Sequence, residues 1–202
     1  LGFSGAGVFA TSVRKAFEER FGVKVYQYYG LTENSPGVTV EDPLSPERNY
    51  ESVGTALPGV EIKIVDENDS KLLPGEHGEL CVRGPYLMTE YWKNPDATSV
   101  AMRGGWLHTG DQGVIDEKGH FYIMGRKHDM ILVGGANVYP AEVEGHLLAH
   151  AAVAGAVVIG EQRLERTVLT AYVVPASPTT PAVLRKFLSE RLPSQFVPTR
   201  FR

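Results

Sequence analysis

Three groups of residues in this sequence have the types and spacing from which chemistry is built. Tyr29-Gly30-Leu31-Thr32-Glu33 brings an aromatic ring, a hydroxyl and a carboxylate close together. His108-Thr109-Gly110-Asp111 places a carboxylate directly after a glycine. The run Gly125–Glu144, G-R-K-H-D-M-I-L-V-G-G-A-N-V-Y-P-A-E-V-E, joins a strand end to charged residues, a paired glycine and a helix start. Gly134-Gly135 lets the backbone approach a ligand closely or take a positive φ. Pro140 suits a first helical turn, and Glu142 and Glu144 suit its positive end. Each group also has an ordinary reading. Tyr29 fits a half-buried strand aromatic, Thr32 a turn hydroxyl and Glu33 a solvated carboxylate. His108–Asp111 passes as a turn, and Arg126 could pair with Asp129. His146 and His150 share a helix face at i,i+4, but no third ligand accompanies them, so they read as surface residues.

The elements that position these groups follow from periodicity. Leu1–Gly7 ends a strand and enters a small-residue turn. Thr11 or Ser12 caps a helix with Val13, Ala16, Phe17 and Phe21 on one apolar face, closed by Gly22. A strand over Val23–Tyr28 puts Tyr29–Glu33 at its C-terminal end, where α/β sheets hold ligands. Asn34–Tyr50 reads as a long polar loop. Beyond Glu51 come short strands at Val60–Asp66, Gly78–Gly84, Gly113–Asp116 and His120–Gly125, with turn residues between them; they predict a β-rich, barrel-like unit. A helix from Pro140 to about His150, strands Val153–Gly160 and Thr167–Pro175, and a helix capped at Thr180-Pro181 with Val183, Leu184, Phe187 and Leu188 complete the chain.

Composition narrows the class. The 202 residues carry a net charge of −4, which supplies no basic field for nucleic acid. Cys81 is the single cysteine, which leaves no internal disulfide and fits a reducing, cytoplasmic setting. Its place in an apolar strand makes it a core residue rather than a nucleophile. The longest apolar stretch, Ala151–Gly160, is too short for a transmembrane segment. The chain starts at Leu1 with no charged-then-apolar leader and reads as a piece of something longer.

Y-G-L-T-E (29–33), G-E-L-C-V-R-G-P (78–85), G-W-L-H-T-G-D (105–111), the Gly125–Glu144 run and L-P-S-Q-F-V-P (192–198) resemble, in order, the motifs of adenylate-forming acyl-CoA synthetases. The resemblance covers essentially the whole chain. It implies activation of a carboxylic acid with ATP, release of pyrophosphate, and transfer of the acyl group from AMP to coenzyme A. It assigns Tyr29, with Gly5, Ala6 and Gly7 opposite and Gly30 beside it, to the adenine. Thr32 goes to the α-phosphate, Glu33 to Mg²⁺, Asp111 and Arg126 to the ribose, and Gly134-Gly135 to the pantetheine channel of coenzyme A. It implies a mobile C-terminal domain that rotates on a hinge at His128.

Several positions depart from the family pattern. His128 stands where Asp or Lys is usual, and its protonation near neutral pH is expected to bias domain orientation. An unchanged pH profile of thioester formation in a His128→Asp variant would remove that expectation. Val133 and Ala136 make the glycine loop less polar. Gly30 points to an open acyl pocket, while Tyr28, in place of a common Gly, points to a narrower one, so acyl length stays open. The glycine-rich Thr/Ser loop for the ATP phosphates would precede Leu1, and the C-terminal lysine would follow Arg202. These residues alone are therefore expected to form little adenylate. The expected fold is α/β plus α+β: residues 1–50 end a large α/β AMP-binding subdomain, 51–127 form the distorted-barrel subdomain, and 128–202 form the incomplete mobile α+β domain. The N-terminal part of the same chain is the expected partner of residues 1–50. Loading of an acyl carrier protein, and a non-catalytic nucleotide-binding role, are the alternative functions.

Overall fold

The structure, a computed structural model, describes residues 1–7, 9, 11–35, 37–163 and 166–202. It divides into two compact units, Leu1–Met124 and Gly125–Arg202. In the first, β1 (Gly2–Ser4) crosses through α1 (Thr11–Phe21) to pair in parallel with β2 (Val25–Gly30). Parallel neighbours need such a crossover. β3 (Gly37–Val40) and β4 (Thr55–Ala56) then add antiparallel strands in the order β1-β2-β3-β4. β3 lies inside the segment expected to be loop. It has four residues among several prolines, too few alternating positions for the sequence to announce it.

Helix α1 forms where expected, and Gly22, at φ 65°, ends it with an N–H bond to the Glu18 carbonyl. Its buried side is not the expected one. Val13, Phe17 and Phe21 are 52%, 41% and 57% exposed, whereas Arg14 is fully buried. The Arg14 guanidinium donates to the Val25 carbonyl at 2.9 Å and to both oxygens of Glu41. A fork of charge-assisted bonds offsets the cost of dehydrating the arginine. The apolar stripe faces away from that network.

A second sheet comprises β5 (Glu61–Val65), β6 (Gly78–Arg83), β7 (Leu107–Ile115) and β8 (Phe121–Arg126), in that order. The β-rich unit is present, but its sheet is open, with β5 and β8 as edges among the described residues. Closing a cylinder takes roughly five strands or more. Val60, Ile64, Leu80, Val82 and Phe121 pack with Val38 of β3, so the two sheets share one core. Between β6 and β7 lies α2 (Pro95–Ala101), capped by Asn94, whose side chain accepts the Ala97 N–H at 3.2 Å. None of its residues is buried, so no apolar periodicity marks it in the sequence.

The second unit opens with the hairpin β9 (Ile131–Val133) and β10 (Ala136–Val138), followed by α3 (Pro140–Leu148). β11 (Val153–Arg163) and β12 (Arg166–Pro175) pair antiparallel; after α4 (Pro181–Ser189), β13 (Arg200–Phe201) adds a parallel edge. Val143 and Leu147 of α3, Val158 and Leu169 of the sheet, and Leu184 and Leu188 of α4 form its core. Thr180 caps α4 by accepting the Val183 N–H, as its sequence requires. Truncating a core leucine such as Leu188 to alanine costs about 2–5 kcal/mol.

Candidate nucleotide site

The C-terminal end of β2 carries the first group of chemical residues. The β2–β3 register shifts between Tyr29 and Gly30, and a short turn over Thr32–Asn34 follows. The buried Asn34 ties that turn by donating to the Gly37 carbonyl. Thr32 is left exposed at the rim. Glu33 is held at both ends: its carbonyl accepts the Met88 N–H, and its Oε1 accepts the Tyr91 hydroxyl, each at 2.7 Å. The bond to the Glu33 carboxylate pushes the Tyr91 pKa up, because the phenol proton is shared with an anion. Glu33 Oε2 has no hydrogen-bond partner among the described residues. A half-buried hard carboxylate oxygen kept clear in this way fits Mg²⁺, which takes one or two protein carboxylates beside phosphate oxygens.

Asp111 belongs to β7, not to a turn, and is 5% exposed. Its Oδ2 accepts the Tyr29 hydroxyl at 2.5 Å, so residues 82 positions apart meet at one place. A ring and a buried acceptor side by side can receive a base and a sugar.

Gly5 follows directly after β1, the strand that pairs in parallel with β2. A Cβ there would stand 2.4–2.8 Å from the Tyr28 ring, so Tyr28 lies against the glycine face that the sequence assigns to adenine. Ala6 follows at φ 67°, a strained value for a residue with a side chain, and Gly7 has open space where a Cβ would go. Gly30 ends β2 opposite Gly37.

Arg126, His128 and the glycine pair belong to the second unit. Arg126 is exposed at the end of β8, and His128 is exposed in a short turn over Lys127–Asp129. Gly134 and Gly135, at φ 56° and 84°, are the whole connection between β9 and β10. Two positive φ values are what a tight right-twisted hairpin demands.

Cys81 is fully buried, and burial pushes its thiol up to about 12, which keeps it protonated and inert. His150 sits edge-on to Phe187 at 4.8 Å, with Nδ1 accepting the Ala152 N–H. Among the described residues no three His, Cys, Asp or Glu side chains cluster to hold a metal. Sequence reasoning missed Tyr91, whose only signal is its contact with Glu33 across 58 positions.

Residues 1–92 match the AMP-binding enzyme family and residues 142–202 match the AMP-binding enzyme C-terminal domain. The chain belongs to the adenylate-forming, AMP-binding enzyme family. It is 45% identical to a long-chain-fatty-acid–CoA ligase of Escherichia coli O157:H7 over 73% of this chain and 27% of that protein. It is 40% identical to a 2-succinylbenzoate–CoA ligase of Geobacillus kaustophilus over 97% of this chain and 40% of that one. Among solved structures, o-succinylbenzoate CoA synthetase of Bacillus subtilis with its acyl-adenylate superposes at a TM-score of 0.89 and 36% identity, covering 98% of this chain and 41% of that one. An amide bond synthetase of Marinactinospora thermotolerans superposes at 0.91 and 34% identity, covering 99% and 41%. The chain thus spans well under half the length of these relatives. No helix among the described residues is long and apolar enough to cross a membrane.

Proposed function

We propose that this chain is part of an ATP-dependent acyl-CoA synthetase that joins a carboxylic acid to coenzyme A through an acyl adenylate. The observation that carries the reading is the meeting of Tyr29 with the buried Asp111, which brings a ring able to stack on a base beside a carboxylate able to accept from a sugar. The family membership supplies the reaction. A carboxylate oxygen attacks the α-phosphorus of ATP, the bond to the bridging oxygen breaks, and pyrophosphate leaves. The coenzyme A sulfur then attacks the acyl carbon, AMP departs with its phosphate oxygen, and the thiol proton is lost to solvent.

Within that scheme Tyr29 stacks on adenine beside Gly30, and Gly5, Ala6 and Gly7 take the opposite face once the Tyr28 ring, which covers Gly5 in this structure, moves aside. Asp111 accepts from the ribose hydroxyls and Arg126 donates to the same sugar. The exposed Thr32 hydroxyl donates to the α-phosphate as its charge grows in the displacement. Glu33, oriented by Tyr91, is the proposed Mg²⁺ ligand; the bound cation would offset phosphate charge. Gly134-Gly135 would let the pantetheine arm pass close to the backbone. His128 is the proposed hinge between residues 51–127 and the mobile part, 128–202. The apolar stripe Val13, Phe17 and Phe21 is the proposed docking face for the remainder of the enzyme.

Acid and acceptor are the finer questions. Relatives named for a long-chain fatty acid and for 2-succinylbenzoate match about equally, and an amide bond synthetase shares the fold, so the fold alone does not choose. Coenzyme A is favoured by N-V-Y-P-A-E-V-E, which resembles the ligases more than carrier-loading modules. The test is ATP- and Mg²⁺-dependent pyrophosphate release by the complete reading frame across acids from acetate to long-chain and aryl, with and without coenzyme A. A thioester product supports the reading and names the acid class. Adenylate that coenzyme A cannot discharge points to a carrier protein, and no release with any acid points to a non-catalytic nucleotide binder.

A further inference from the structure

The way β7 presents Asp111 points to a further pair of functional residues. Glu79 pairs with Gln112 and Cys81 with His108, so Thr109, Gly110 and Asp111 together face Leu80 alone. This bulge leaves backbone groups without ladder partners in a mostly buried part of the sheet, and such groups must be bonded elsewhere. Two side chains do so. The Thr109 hydroxyl donates to the Leu80 carbonyl at 2.8 Å and accepts the Asp111 N–H at 3.1 Å. Glu79 Oε1 accepts the Gly110 N–H at 3.1 Å. Gly110 takes φ 73°, with nothing near where its Cβ would be, so glycine serves the conformation rather than the space.

The carboxylate that bonds the bulge is itself committed to the place. Glu79 is 7% exposed, and its Oε2 lies 3.7 Å from His108 Nδ1 and 3.8 Å from Arg103. His108 in turn lies against the Cys81 sulfur at 3.3 Å, which fixes the near end of the bulge. Strand side chains alternate between faces, so a one-residue change of register at this point would turn Asp111 away from Tyr29.

We propose that Glu79 and Thr109 are positioning residues: they hold the bulge in β7 open and thereby aim Asp111 at the ribose of the bound nucleotide. This rests on Asp111 being the ribose acceptor, and the test separates the two claims. The readout is the ratio of affinities for AMP and 2′-deoxy-AMP, measured by titration calorimetry on the complete reading frame. A hydrogen bond to a charged acceptor gives the unsubstituted enzyme a preference for AMP of roughly tenfold to a hundredfold. Glu79→Ala should reduce that preference below about threefold, whereas Glu79→Gln, whose amide oxygen still accepts the Gly110 N–H, should retain it. Thr109→Ser should retain it and Thr109→Val should lose it, which keeps the test intact if Glu79→Ala does not fold. A merely structural role would weaken both ligands equally and leave the ratio unchanged, and that result overturns the proposal. An unsubstituted enzyme that binds both ligands equally well overturns the ribose role of Asp111, and this proposal with it.

Discussion

Tyr29 has two separable jobs, and a single oxygen atom distinguishes them. Its ring is the proposed platform for adenine, and its hydroxyl donates to Asp111 Oδ2 at 2.5 Å. Tyr29→Phe removes the second job and leaves the first. A hydrogen bond to a buried carboxylate contributes about 1.5–3 kcal/mol. Asp111 is 5% exposed, but it keeps other interactions when the hydroxyl goes, so the lower end, about 1.5 kcal/mol, applies. Tyr29→Ala removes both jobs, and base–aromatic stacking is worth about 1–3 kcal/mol per base, or roughly fivefold to 150-fold in affinity.

The two variants therefore predict different patterns in two assays. Trp92 and Trp106 are the only tryptophans of these 202 residues and both lie in the first unit, so tryptophan fluorescence during urea unfolding of this 202-residue chain reports on that unit. Phe should lower its unfolding free energy by about 1.5 kcal/mol while AMP affinity stays within about threefold. Ala should lower both stability and affinity. If Phe binds AMP as poorly as Ala does, the ring is not the platform and adenine lies elsewhere. If Phe costs less than about 0.5 kcal/mol, the bond to Asp111 does not hold the two sheets' contribution to the site.

Arg14→Met should destabilise the first unit by about 3 kcal/mol in urea unfolding, because it strands Glu41; the lower end of the range for a broken buried pair applies because Arg48 remains 3.7 Å from that carboxylate. Adding Glu41→Gln should recover part of the loss, and strict additivity would show that the pair is not coupled. Burial pushes Glu18 up, but bonds from the Val25 N–H, Arg48 and Tyr50 outweigh it and hold its pKa below the ordinary carboxylate value. The folded pKa is thus below the unfolded one, so its stabilisation is fully present above the ordinary carboxylate value and is lost as pH falls from there through the lowered folded value. Glu18→Gln should flatten the acid limb of a stability–pH profile, and an unchanged limb would refute this. Tyr91→Phe frees Glu33 from its 2.7 Å bond and should raise the Mg²⁺ concentration for half-maximal pyrophosphate release about threefold to tenfold. A rise in acid KM without any change in Mg²⁺ dependence would instead place Tyr91 at the acyl side.

What the sequence disclosed and what it withheld follow one physical division. Thr180, Leu184 and Leu188 announce α4 because a cap and a 3.6-residue repeat are local properties, and the structure uses each as its pattern requires. The stripe on α1 is equally local, yet periodicity records only that two faces differ. Which face is buried depends on what lies against it, and Glu41 and Val25 draw in Arg14 instead. Asp111 shows the same limit from the other side. Its motif is legible, but its aim comes from a bulge fixed by Glu79 on the neighbouring strand, and cross-strand register is not a local property. Gly134-Gly135 is the reverse case, where one local fact has two sufficient causes. A two-residue hairpin with positive φ at both positions already requires such residues, so their presence alone carries no information about a passing ligand. Motifs therefore located the chemical residues here, while the non-local contacts of Tyr29, Tyr91 and Glu79 are what turn several of them into a candidate site.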